Sequence, residues 1–115
     1  MTVYKNRPIE EAKNVEGGTG TMLRDRLLNQ SQMGGVCTYV VHNALKPGAS
    51  IGDHTHNGET ETYYITNGKG LYNDNGTEVE IEKGDLLFCG DGEHHAIANT
   101  GNELLSFVVI IQSTK

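Results

Sequence analysis

Several absences narrow the possibilities before any motif is considered. Only two cysteines occur, Cys37 and Cys89. They lie far apart inside apolar runs, which suits buried thiols better than a disulfide or a zinc knuckle. Basic residues are also scarce: nine Lys and Arg against fifteen Asp and Glu give a formal net charge of −6, and no basic run exceeds two residues. Nucleic acid and anionic membrane are thereby excluded as expected partners. No apolar stretch approaches the roughly 20 residues of a membrane span. The N-terminal MTVYKNRPIEEAK lacks the apolar core of a signal peptide, so a cytoplasmic location is expected. There is no internal repeat and no low-complexity tract. No segment combines the length, caps and 3.6-residue period of a good helix. What is left, at 115 residues, is one domain built from short strands.

Chemistry is concentrated between Gly48 and Gly68, GASIGDHTHNGETETYYITNG, where His54, His56 and Glu61 fall within eight residues. On a strand, His54 and His56 project to one face while Asp53 and Thr55 project to the other. Glu61 opens the next run, ETYYIT, after the turn-like Asn57-Gly58, and can reach the same point from a neighbouring strand. A second cluster, GDLLFCGDGEHHAIAN from Gly84 to Asn99, offers His95 as a fourth group. Imidazole nitrogens with a carboxylate oxygen are a ligand set for a divalent transition metal.

The two stretches resemble the paired motifs of the cupins. The first cupin motif, G(X)5HXH(X)3,4E(X)6G, is met at every position by Gly48, His54, His56, Glu61 and Gly68. The second, G(X)5PXG(X)2H(X)3N, is met by Gly84, Gly92, His95 and Asn99, with Gly90 standing where proline is usual. Proline fixes a dihedral that glycine frees, so this departure bears on the rigidity of a turn and not on a ligand. The resemblance implies an all-β, double-stranded β-helix or jelly-roll barrel of RmlC-like type. It also implies a metal held by His54, His56, Glu61 and His95, with the ion drawn from Fe, Mn, Ni, Co, Cu or Zn. It leaves the reaction open, because this fold hosts many unrelated chemistries.

In chain order, residues 1–20 read as a polar N-terminal arm with room for one short strand, and residues 21–115 as a single barrel domain. Met22 to Leu28 alternates as a strand, with Arg24 and Arg26 on the face of Met22 and Leu28; the pattern does not say which face is buried. LNQSQMGG reads as a polar loop. Val36 to Leu45 is rich in β-branched and aromatic residues and reads as a strand. Strands are also expected around Ile51 to His56 and Thr62 to Thr66. GLYND and TEVEIE form a hairpin across Asn75-Gly76, with Val79 and Ile81 expected inward and Glu78, Glu80 and Glu82 outward. LLFC, HAIAN and LLSFVVII complete the set.

Other candidates have plain alternatives. His94 must point away if His95 points in. His42 fits a surface or dimer-facing position better than the cavity. Tyr63 shares the face of Glu61 and is the candidate catalytic proton acceptor, or else an ordinary core tyrosine. Arg24 and Arg26 can hold a substrate carboxylate, although solvated edge-strand charges explain them more simply. Three function classes follow: a metal-dependent dioxygenase, isomerase or lyase acting on a small oxygenated molecule; a binding or sensing barrel; and a metal-free structural barrel. Retention of all four ligands argues against the last. A small-molecule partner with adjacent oxygens is expected, since four protein ligands on a six-coordinate ion leave two neighbouring positions. The resemblance, together with apolar residues on both faces of LLSFVVII, further implies a homodimer.

Overall fold

The computed structural model describes residues 2–115. Ten strands run in order: β1 (Ile9–Lys13), β2 (Thr21–Arg26), β3 (Cys37–Leu45), β4 (Ser50–Thr55), β5 (Glu59–Asn67), β6 (Lys69–Asp74), β7 (Thr77–Glu82), β8 (Leu86–Cys89), β9 (His94–Ala98) and β10 (Leu105–Ser113). They form two antiparallel sheets, β1-β2-β3-β10-β5-β8 and β4-β9-β6-β7. The sheets close on each other as the expected all-β double-stranded β-helix.

The core follows from strand alternation. Leu105, Phe107 and Val109 of the central strand β10 are fully buried and meet Val41, Leu45, Tyr63 and Ile65 from the strands beside it. Ile51, Tyr72, Ile81 and Ile97 close the core from the smaller sheet. Val108 and Ile110 alternate outward and are only half-buried, so β10 is covered on one face within a single chain. Both cysteines are free; Cys89 is buried as expected and Cys37 is half-buried.

Three local expectations need correction. The loop LNQSQMGG contains a single helical turn, Gln30–Met33, started by a reciprocal capping box: the Asn29 side chain accepts from the Gln32 N–H, and the Gln32 side chain accepts from the Asn29 N–H. Val79 is 42% exposed although Ile81 on the same face is buried. It lies on β7, the edge strand of the smaller sheet. Finally, β2 is not an edge strand, because β1 pairs along it from Ile9–Asp25 to Lys13–Thr21. Its buried face is the one that carries Met22 and Arg24.

The lead-in also reaches the site. A 3-10 turn at Val15–Gly17 packs on β4 so closely that a Cβ on Gly52 would lie 2.1 Å from the Glu16 carbonyl oxygen. Only glycine allows that approach. It places Val15 and Glu16 on the wall of the barrel cavity.

Candidate metal centre

A β-bulge sets the orientation of the first two histidines. In the β4–β9 pairing, Ile51 lies opposite Ile97, but His54 lies opposite His95, so one extra residue is accommodated between them. The bulge lets Ile51 and His54 both face inward despite odd spacing, after which alternation carries His56 inward and leaves Asp53 and Thr55 exposed. His95 comes from β9 and Glu61 from β5, so the two sheets jointly supply the cluster. His56, Glu61 and His95 are buried and His54 is half-buried.

Four donor atoms converge, all within 4.8 Å of one another. Glu61 Oε1 lies 2.8 Å from His56 Nε2, 2.7 Å from His95 Nε2 and 3.7 Å from His54 Nε2. His95 Nε2 is 3.2 Å from His56 Nε2 and 3.1 Å from His54 Nε2. Ligand bonds of about 2.0–2.1 Å meeting at 90–110° would separate donors by about 2.8–3.4 Å. The spacings found are close to those edges.

The opposite ring nitrogens fix what the converging ones can be. His54 Nδ1 is 2.7 Å from the Gly52 carbonyl oxygen, which can only accept, so Nδ1 carries the proton and the neutral ring presents an Nε2 lone pair inward. His56 Nδ1 is 2.6 Å from the Glu59 carboxylate, with the same consequence. His95 Nδ1 meets the Tyr72 hydroxyl at 2.8 Å; when that hydroxyl accepts from Nδ1–H, the His95 Nε2 lone pair also faces inward. Such outer partners hold metal-binding imidazoles in orientation and raise their basicity. Imidazole nitrogens from three histidines and a carboxylate aimed at one point fit a divalent cation.

In the metal-free protein, protons take over that role. Hydrogen bonding to Glu61 raises His56 most, against the cost of burial and with help from Glu59, to about 9. Burial alone would push the Glu61 carboxyl up, but hydrogen bonds from His54, His56 and His95 overcome it and hold the group far below the usual carboxylate range. Burial likewise works against a charged His54, yet the bonds to Glu61 and the Gly52 carbonyl leave it raised.

The cluster sits on the wall of a cavity of about 300 Å³ whose other lining residues include Arg24, Tyr39, Asn43 and Tyr63. Tyr63 is almost fully buried and stacks on His95 with ring centroids 5.2 Å apart. Burial, reinforced by the Glu61 charge, drives its phenol well above the ordinary value, so it keeps its proton and is suited to donate rather than to accept. Arg24 lines the cavity, contrary to the simpler reading of a solvated edge charge, while Arg26 is ion-paired outside with Glu10. His94 points outward and meets Asp53 at 2.9 Å. His42 lies on the outer face of the larger sheet, 2.9 Å from the Thr66 hydroxyl.

Two motif residues act on the frame instead. The Asn99 side chain donates to the Leu45 and Glu103 carbonyls and accepts from the Gly101 N–H. Gly90, in the proline position, donates its N–H to Glu93 Oε1 at 2.5 Å, a bond proline cannot make. The turn is tied by a side chain where a ring would otherwise stiffen it. Sequence reasoning passed over Glu59 and Tyr72. Glu59 was open to detection, since it alternates onto the face of Glu61; Tyr72 was not, because only the β6–β9 register brings it to His95.

An antiparallel two-sheet barrel with a three-histidine, one-carboxylate cluster in its cavity defines a class of metal-capable barrels, and comparison with known proteins identifies which. The family model for the cupin domain matches residues 41–111, and the chain belongs to the cupin superfamily. It is 41% identical over 102 residues to an oxalate-binding protein of Thermotoga maritima, covering 89% of this chain and 84% of that one. A crystal structure of a predicted oxalate decarboxylase from Thermotoga maritima superposes with a TM-score of 0.94 at 38% identity, covering 98% of this chain and 99% of the other. The tetracenomycin polyketide synthase protein TcmJ of Streptomyces glaucescens is 34% identical over 76 residues, 66% of this chain and 51% of that protein. Among the described residues no helix is long and apolar enough to cross a membrane.

Proposed function

We propose that this cupin binds a divalent transition metal through His54, His56, Glu61 and His95 and uses it to hold a small oxygen-chelating anion of the oxalate type. The observation that carries the reading is the convergence of imidazole lone pairs and one carboxylate oxygen on the wall of a small cavity that also contains a cationic side chain, Arg24. The name of the Thermotoga relative supports the choice of ligand. When bound, the metal would supply Lewis-acid stabilisation to ligand oxygens. Around it, Tyr63 would donate a hydrogen bond to the anion, and the barrel wall would limit ligand size.

Binding without turnover is the simpler reading of the cavity's inventory. Once His54, His56 and Glu61 serve as ligands, the remaining titratable groups on the wall are Glu16, Arg24, Tyr39 and Tyr63, with no histidine or lysine among them, and the one carboxylate, Glu16, is exposed. To test the reading, protein purified without chelator is assayed for metal and titrated with oxalate before and after metal removal. About one ion per chain and oxalate heat only from the loaded form are expected. Oxalate binding that survives complete metal removal would contradict it. Product formation, followed by mass spectrometry under air and under nitrogen, would favour the enzyme reading.

A homodimer through the outer face of the larger sheet belongs to the same proposal. Tyr64, Leu86 and Phe88 are 49%, 67% and 57% exposed. The β5–β8 and β10–β5 registers set them beside one another and beside Val108 and Ile110. A second copy placed by a two-fold axis would cover this face and terminate assembly. Light scattering is expected to give twice the 12.5 kDa chain mass, and Phe88→Asp to give the monomer. A monomeric wild-type chain at micromolar concentration would refute the dimer.

A further inference from the structure

The chain's three arginines differ in one respect. Arg7 is paired with Asp25 at 2.6 Å and Arg26 with Glu10, but among the described residues Arg24 has no carboxylate partner. Its Nε is nevertheless buried and makes no hydrogen bond. The guanidinium carbon lies 5.7 Å from the Tyr39 ring centre, a contact that holds the group against an aromatic face without satisfying its N–H donors. Directly across the β2–β3 pairing stands Asn43, 3% exposed, whose amide oxygen is also buried without a partner. Buried polar groups are rarely left unpaired. Of these two orphans on one cavity wall, the Arg24 N–H is a donor that a carboxylate oxygen of a ligand can meet, whereas the Asn43 oxygen is an acceptor that it cannot.

We propose that Arg24 is the second anchor for the ligand: it donates to the carboxylate oxygens that face away from the His54, His56, Glu61 and His95 cluster. A planar guanidinium matches the two oxygens of a carboxylate, and a cavity of about 300 Å³ is at the small end of ligand sites. The ligand class is therefore a small dicarboxylate dianion whose chelating oxygens face the cluster and whose remaining oxygens face Arg24. Arg24 then sets the preference for such a dianion over a monocarboxylate that can chelate equally well. This inference rests on the metal-carboxylate reading given above.

The test uses the metal-loaded full chain and two chelating probes, oxalate and glycolate, titrated calorimetrically into wild type, Arg24→Gln, Arg24→Lys and Arg26→Gln, with metal content measured for each. Arg24→Gln is expected to weaken oxalate by about 10- to 100-fold and glycolate by about 3-fold or less, with metal content unchanged. Arg24→Lys, which keeps the charge but loses the fork, should fall between Arg24→Gln and wild type, and should decide the matter if Arg24→Gln fails to fold. Arg26→Gln should resemble wild type. Equal oxalate affinity in wild type and the Arg24 variants, or equal losses for oxalate and glycolate, would overturn the role of Arg24 alone. Failure of wild type to bind either probe would overturn the metal-carboxylate reading and this inference with it.

Discussion

Replacing Glu59 by Gln should weaken metal binding by an amount that depends on pH in a direction set by two opposing effects. The carboxylate lies 2.6 Å from His56 Nδ1 and makes that imidazole a better donor at Nε2. Loss of an outer partner of this kind costs about 10- to 100-fold in metal affinity, and the lower figure applies here because the glutamine carbonyl can still accept the Nδ1–H. Working against this, Glu59 also helps raise His56 to about 9. At pH 7 a proton held with that strength competes with the metal and lowers its apparent affinity by about 100-fold. Glu59→Gln relieves part of that competition. The variant should therefore fall short of wild type by about 10-fold above pH 9, and the gap should narrow as pH falls. Competition titrations against a chelator of known affinity, at pH 6.5, 8 and 9.5, would follow the gap. A loss that is constant across this range would refute the reasoning, as would no loss at any pH.

Metal-free protein should show the opposite pH behaviour from the loaded form. Glu61 is held below its ordinary 4.5, so its contribution is present above that value and lost as pH falls; His56 is raised from 6.5 to about 9, so its contribution is complete below 6.5 and lost as pH rises through about 9. Thermal unfolding without metal should thus be highest between about 4.5 and 6.5, whereas added metal should stabilise more as pH rises; parallel melting curves would sink this account. Gly90→Pro, although it restores the residue usual in the second cupin motif, should destabilise by about 1–2 kcal/mol, because it removes the N–H that Glu93 accepts. The cost should shrink in a Glu93→Ala background, and a purely additive double variant would show that the two residues are not coupled.

Strand alternation and motif spacing made the convergence of His54, His56, Glu61 and His95 legible in the sequence, because both are local properties. His54-Thr55-His56 alternates on one strand, His94 and His95 necessarily diverge, and the glycines mark the turns between. The bulge between Ile51 and His54 left no such mark, although it is what allows an inward isoleucine and an inward histidine to coexist on β4. Arg24 was misjudged for a non-local reason: whether β2 is an edge depends on β1 folding back along it, which a polar lead-in does not announce. The exposure of Val79 goes with the edge position of β7, which local alternation does not reveal. The helical turn after Asn29 is different, since Asn29 and Gln32 carried the capping signal and a polar segment ending in two glycines obscured it.

The central claim, that His95 and its neighbours hold a metal while the adjacent His94 does not, is tested most directly by metal content in two single variants. Protein prepared without chelator is compared as wild type, His95→Ala and His94→Ala by elemental analysis, with folding checked by circular dichroism. About one equivalent in wild type and His94→Ala, and a large loss in folded His95→Ala, is the expected result. Equal metal content in all three would contradict the account.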